Sequence, residues 1–182
     1  IGYNKPIAKI HVQKEYIMWY AILGAVLLAG DQILKYWVVT HLAVGESAPF
    51  LPGFMQLTRL HNYGAAWSGF SGRTVLLVVF TAVLLAVVAL LLLKKVVRHW
   101  TGITACTLIL SGGIGNIIDR IVHGYVVDMS DLQLFSYPVF NLADCCVVVG
   151  AILGGIYYLF LYEKYDKKKK ESDHAHDPSD PS

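Results

Sequence analysis

Charge is scarce in this chain: 15% of its 182 residues are Asp, Glu, Lys or Arg, while 55% are hydrophobic. That balance excludes an ordinary soluble domain. Cysteine is nearly absent. Cys106, Cys145 and Cys146 are odd in number and lie in apolar stretches, so they imply no disulfide framework and read as small packing residues. No His-x-x-x-His spacing occurs in the apolar region, where His61 and His123 stand apart. His174 and His176 belong to a polar tail, so a metalloprotease reading has little support and neither a metal nor another cofactor is expected. The basic run Lys167 to Lys170 is too short for a nucleic-acid site and reads as a retention charge beside anionic lipid. Beyond it, 171–182 is polar and contains proline, which predicts a disordered tail.

What the chain has is apolar length. From Val75 to Leu93, Thr81 is the single polar residue; at about 1.5 Å rise per residue this run nearly spans a hydrocarbon core of about 30 Å. Three further helices are expected, giving four at about 16–41, 74–97, 100–119 and 140–162. The first could be a cleaved signal sequence, since Lys9 and Lys14 precede it. Its helical pattern continues through Ile33, Leu34, Trp37 and Val38, which favours a retained helix. Basic residues cluster before the first helix (Lys5, Lys9, Lys14), between the second and third (Lys94, Lys95, Arg98) and after the fourth (Lys164, Lys167 to Lys170). The other connections carry Arg59, Arg73 and Arg120. The positive-inside rule then predicts cytoplasmic termini and two outer connections.

Between Tyr16 and Tyr162 the acids are Asp31, Glu46, Asp119, Asp128, Asp131 and Asp144. On this topology they all fall at or beyond the outer helix ends, which makes the outer face the chemical one. The first outer connection, about 43–73, alternates apolar and polar residues through Phe54 to His61, as a half-buried strand does. The second, about 121–139, has room for a strand at Tyr125 to Asp128 and a mobile loop. The expected fold is therefore an all-α membrane protein of four transmembrane helices in a single domain (1–170), with a small extracytoplasmic β-sheet.

Several polar groups in this frame need a reason. Asp31 and Lys35 form an i,i+4 pair worth only about 0.2 to 0.5 kcal/mol on an exposed helix, so they should face a wet cavity or lie near the surface. Asn62 to Ser68 reads either as a turn with an interfacial Trp or as a place where small residues such as Gly64 let a substrate backbone approach the Asn62 amide. Gly112, Gly113 and Gly115 have helix-packing spacing, which leaves Asn116, Asp119 and Arg120 on neighbouring turns unexplained. Asp128 and Asp144 are 16 residues apart, so only the fold can pair them. Each reads as a surface carboxylate at a helix boundary, or the two read together as an acid/base pair sharing one proton.

These residues, taken in order, resemble the bacterial lipoprotein signal peptidases, or signal peptidase II. The matching motifs are Asp31-Gln-x-x-Lys35, Asn62-x-Gly-Ala-Ala-Trp67, Gly113-x-Gly-Asn116-x-x-Asp119-Arg120, Val126-Val-Asp128 and Phe140-Asn-x-Ala-Asp144. Each is weak alone; five in order across about Ile17 to Tyr162 are specific. The resemblance implies an aspartic endopeptidase of the inner membrane, with an outer β cradle. Its substrate would be a diacylglyceryl-modified prolipoprotein, cut before the lipidated cysteine. It further implies Asp128 and Asp144 as the catalytic dyad and Asn62, Gly64, Asn116, Arg120 and Asn141 as substrate-binding residues. Asp31, Lys35, Asp119 and Ala143 would support them. No metal, contact with membrane lipid, a monomeric state and blockade by a globomycin-type inhibitor are also implied. Met129 stands where the family commonly has Phe, a volume-tolerant exchange. The rival reading is a small proton-coupled transporter or channel, which needs polar residues at mid-membrane depth on several helices.

Overall fold

The computed structural model of the chain describes residues 5–64 and 73–167, with side chains from 17 to 64 and from 73 to 166. The expected tail at 171–182, the Lys168 to Lys170 part of the basic run and the Ala65 to Trp67 part of the second motif lie outside the described residues. The elements run α1 (Lys5–His41), β1 (Ser47–Leu51), β2 (Met55–Asn62), α2 (Thr74–Leu93), α3 (Trp100–His123), β3 (Val126–Leu132) and α4 (Leu142–Ile156), which continues as a π-helix over Tyr157–Lys167. Four of these helices are long and apolar enough to cross a membrane: Ile17–His41, Thr74–Leu93, Trp100–His123 and Leu142–Asp166.

Helix boundaries differ from expectation where the deciding signal is not apolar length. Helix α1 starts at Lys5 instead of 16: Pro6 falls in its first turn, where proline is tolerated, and neither Pro nor Gly follows before the apolar span. Helix α2 stops at Leu93 instead of 97, with Lys95 in the left-handed region at φ 53°. Helix α3 runs past 119 to His123 and ends at Gly124, whose φ of 80° is the usual left-handed close of a helix. Strand β3 begins at Val126, not Tyr125, and continues to Leu132.

Helix α3 is the central one: over half of its apolar window is buried, whereas the other three helices expose most of theirs. Glycines make this possible. A Cβ on Gly112 would strike the Ala143 carbonyl oxygen of α4, and one on Gly113 would come within 2.6 Å of Leu85 of α2. From α4, Gly150 meets α3 at Ala105 and Ile109. The glycine spacing therefore serves close helix contact, as small residues do in membrane bundles. The exposed Val, Leu, Ile and Phe side chains on α1, α2 and α4 form the outer surface of the bundle, a surface suited to lipid.

The three strands form one antiparallel sheet in the order β1-β2-β3 at one end of the bundle. Strand β2 pairs with β3 through Leu60↔Asp128, His61↔Val127 and Asn62↔Val126, with an irregularity between Leu57 and Leu60. One sheet face seats Val127 and Met129 against Val38 of α1 and Leu42 just beyond its end. The buried Met129 fills this cluster, as its flexible thioether allows. Arg59 reaches from β2 to the Val39 and Leu42 carbonyls, 2.9 Å each, and so closes the end of α1. At the opposite end of the bundle, Asp166 accepts from Tyr157 Oη and from the Arg98 and His99 amides, which ties the π-helix to the start of α3.

Candidate active site

The site is built where the sheet meets the ends of α1, α3 and α4. Its foundation is a buried polar knot. Lys35 Nζ lies 2.8 Å from Asp31 Oδ2 and 3.0 Å from Asp119 Oδ2, and donates to Asn116 Oδ1 at 3.1 Å. Gln32 Nε2 donates to Asp119 Oδ1, to Asp31 Oδ2 and to the Gly115 carbonyl. Two backbone amides complete it: Ala143 N to Asp31 Oδ1 at 2.9 Å and Val127 N to Asp119 Oδ2 at 3.0 Å. The knot thus ties α1, α3, β3 and the first turn of α4 together.

From sequence, Asp31 and Lys35 are expected in a wet cavity or near the surface. They are instead 1% and 3% exposed. The weak i,i+4 pair is not what compensates their desolvation: Asp119, Gln32 and two main-chain donors do so collectively, as a buried charge requires. Sequence reasoning assigns Gln32 no role. Its signal is nonetheless there, as a polar residue adjoining Asp31 on an otherwise apolar helix.

Above the knot stand two carboxylates. Asp128, 1% exposed, accepts from Asn141 Nδ2 at 2.7 Å and from Asn62 Nδ2 at 2.9 Å. Asp144 accepts from Asn116 Nδ2 at 2.8 Å and from the Asn141 main-chain amide at 3.1 Å. One residue, Asn141, therefore holds both acids. It can do so because it caps α4: its Oδ1 accepts the Asp144 N–H at 2.8 Å while Asp144 returns the bond, a capping box. With Oδ1 committed, the amide NH2 must turn toward Asp128. The spacing of 16 residues is closed by backbone pairing, since Ser130 of β3 bridges Phe140, the residue before the cap.

The other amides are oriented in the same manner. Lys35 donates to Asn116 Oδ1, which leaves that side chain's NH2 for Asp144. Gly64 N–H donates to Asn62 Oδ1 at 2.9 Å, which leaves the Asn62 NH2 for Asp128. Arg120 spans from the Asn116 carbonyl to the Gly64 carbonyl, the latter at 2.8 Å from Nη2. Fixed donors at carboxylates favour the ionised form, yet burial and the neighbouring Asp144 charge outweigh them and raise Asp128 to about 7. Near neutrality this acid is thus poised between its two protonation states.

The polar side chains expected at the site or in its support, Asp31, Lys35, Asn62, Asn116, Asp119, Arg120, Asp128, Asn141 and Asp144, belong to this one network, with Gly64 and Ala143 entering through their main chains, whereas Glu46 and Asp131 bond elsewhere, to Ala43 N and to Gln56 and Thr58. His61 and His123 do not join it. They flank Tyr125, with ring centroids at 3.8 and 5.7 Å.

Comparisons with known proteins point to one family. The sequence profile of the family described as signal peptidase (SPase) II matches residues 23–160. The chain is 40% identical over 151 residues to the lipoprotein signal peptidase of Enterococcus faecalis, covering 83% of this chain and 93% of that protein. It is 37% identical to that of Lactobacillus gasseri (80% and 94% covered) and 38% identical to that of Lactococcus lactis (82% and 95% covered). Two solved structures, each described as a bacterial membrane enzyme obtained by the in meso method, superpose with TM-scores of 0.73. One, at 2.3 Å resolution, is 27% identical over 92% of this chain and 96% of that one; the other, at 1.9 Å, is 31% identical over 80% and 96%. A multi-pass bacterial membrane protease is the class that these helices, this sheet and these relatives define. Within that class, the chain belongs to the signal peptidase II family, the lipoprotein signal peptidases.

Proposed function

We propose that the protein removes the signal peptide from diacylglyceryl-modified prolipoproteins, cutting before the lipidated cysteine, and that Asp128 and Asp144 are its catalytic pair. The observation that carries the reading is the convergence of both carboxylates on Asn141, one through its side-chain amide and one through its main chain. Two acids so close cannot both ionise easily, and one proton is shared. With Asp128 raised to about 7, the pair keeps that proton up to near neutrality.

In the reaction, the ionised carboxylate takes a proton from a water molecule, whose oxygen attacks the scissile carbonyl carbon. The protonated carboxyl gives its proton to the carbonyl oxygen, which yields a neutral gem-diol. Collapse breaks the C–N bond as the amine leaving group receives the proton taken from water, and the diol returns one proton to the pair. Asn62, Asn116 and Asn141 hold the two acids through this exchange, and Arg120, Asn62 and Gly64 offer polar groups to a peptide backbone. Because the acids sit at the helix ends, the signal helix can lie among the spans while the diacylglyceryl chains remain in lipid.

The charge distribution supports cytoplasmic termini and an outer site. Lys94, Lys95, Arg98 and Lys164 belong to the end opposite the sheet. A monomer suffices, since one chain supplies both acids and all their partners. A globomycin-type peptide inhibitor would act by occupying this pair. The transporter reading is not supported: α2 has no polar residue after Thr74 except Thr81, and Thr107 and Ser111 of α3 donate back to their own helix carbonyls.

The test is cleavage by purified protein in lipid vesicles of a prolipoprotein peptide with and without the diacylglyceryl group. Release of an intact signal peptide ending just before the modified cysteine, from the lipidated peptide alone, is the expected result. Equal cleavage of both peptides, or a cut elsewhere, would contradict the reading.

A further inference from the structure

Asn62 is the last residue of β2, and Asn62↔Val126 is the last pair that the β2–β3 ladder makes. Strand ends fray, yet the Asn62 amide must stay on Asp128. Just past this end four rings meet. Tyr125 stacks on His61 at 3.8 Å with 17° between planes, tilts against Tyr63 at 5.4 Å and stacks with His123 at 5.7 Å; His61 also meets Tyr63 edge-on at 6.4 Å. His61 and Tyr63 are the two chain neighbours of Asn62. Alternation along the strand turns them to the face opposite the Asn62 side chain, the face on which Tyr125 packs beside Val127 and Met129.

A further observation points to stacking as the purpose of these rings. His61 Nε2 is buried with no hydrogen-bond partner among the described residues, so its ring is held by ring contacts and not by a polar tie. We propose that His61, Tyr63, Tyr125 and His123 form an aromatic staple that extends the β2–β3 pairing beyond its last hydrogen bonds and so positions the Asn62 amide on Asp128. This inference rests on the catalytic reading of Asp128. The rings are positioning residues, acting through Asn62 alone.

A staple that only stabilised the sheet would not move the titration of the acids. One that positions Asn62 must, because the Asn62 hydrogen bond favours the ionised Asp128. Removing it raises the pH at which the pair loses its last proton. The experiment is the pH dependence of kcat/KM, which reports the free enzyme, on a lipidated peptide for wild type, Asn62→Ala, Tyr125→Leu, Tyr125→Phe and Asn62→Ala/Tyr125→Leu. Asn62→Ala and Tyr125→Leu are each expected to move the alkaline limb upward by about half a pH unit and to lower the plateau about threefold. The double variant moves no further, and Tyr125→Phe, which keeps the ring, behaves as wild type. If Tyr125→Leu does not fold, His123→Ala at the exposed edge of the stack takes its place, with a smaller shift of the same sign. A limb unmoved by the ring variants while Asn62→Ala moves it overturns the staple. If Asp128→Asn still cleaves, the catalytic reading has failed instead, and the two failures are thereby told apart.

Discussion

Replacing Asp128 by Asn should change how stability depends on pH, and the sign follows from the site. The folded protein holds a proton on Asp128 up to about pH 7, against an ordinary value of 3.8, chiefly because burial and the neighbouring Asp144 oppose its charge. Between about pH 4 and pH 7 the folded state therefore keeps a proton that the unfolded chain gives up. Stability falls as pH rises through that window, and the loss is complete above about 7. A displacement of roughly three pH units, at about 1.36 kcal/mol each, sets a ceiling of about 4 kcal/mol. The replacement side chain, an amide, cannot ionise, so the variant loses this slope. It also sets an NH2 against the Asn62 or Asn141 amide donor, a cost of about 1 to 3 kcal/mol that does not vary with pH. The informative quantity is thus the change with pH and not the stability at one pH. Thermal unfolding in detergent at about pH 5 and about pH 8.5 spans roughly two of those three units, so wild type should lose up to about 2.7 kcal/mol relative to Asp128→Asn, or about 5 to 11 °C for a chain of this length. Parallel pH dependence in the two proteins would refute the raised acidity constant and the shared proton with it.

Lys35→Met removes the cation between two buried carboxylates, Asp31 and Asp119. It should cost about 3 to 5 kcal/mol in thermal or denaturant unfolding, and a near-neutral result would mean the knot is not ionised as drawn. Gly112→Ala drives a methyl into the Ala143 carbonyl, whereas a Cβ on Gly155 meets nothing within 4 Å. The first should lower the melting temperature and the cleavage rate together and the second change neither; equal effects would contradict the α3–α4 packing. Gly124→Ala places a Cβ at φ 80° and should cost about 1 to 2 kcal/mol, read as a drop in melting temperature with kcat retained.

Much of the fold is legible in the sequence because apolar length is a local property. Val75 to Leu93 declares a span with no help from its neighbours, and the Asn116, Asp119, Arg120 series announces a cluster that packing does not explain. The unread parts depend on contacts distant in sequence. The π-helical stretch from Tyr157 is tied down by Asp166 binding the start of α3, and no window of sequence contains both. The burial of Asp31 and Lys35 becomes intelligible only with Asp119, Gln32, Ala143 and Val127 around them, whereas an isolated i,i+4 pair points toward water. The direction of each amide is likewise hidden: Asn141 lies inside the helix expected from 140, whereas it caps α4 and reaches Asp128 by way of the Ser130–Phe140 bridge. His61 and His123 invite weighing as metal ligands, when their nearest common neighbour is the ring of Tyr125.

The central claim is that Asp128 and Asp144 act as one catalytic pair. Cleavage of a diacylglyceryl-modified prolipoprotein by purified wild type, Asp128→Asn and Asp144→Asn in the same vesicles tests it most directly, with thermal unfolding confirming that each variant is folded. Each single replacement should lower kcat by about a thousandfold or more, and the double replacement should lower it little further, as for groups that work as a unit. Turnover by either folded single variant within about tenfold of wild type would contradict it.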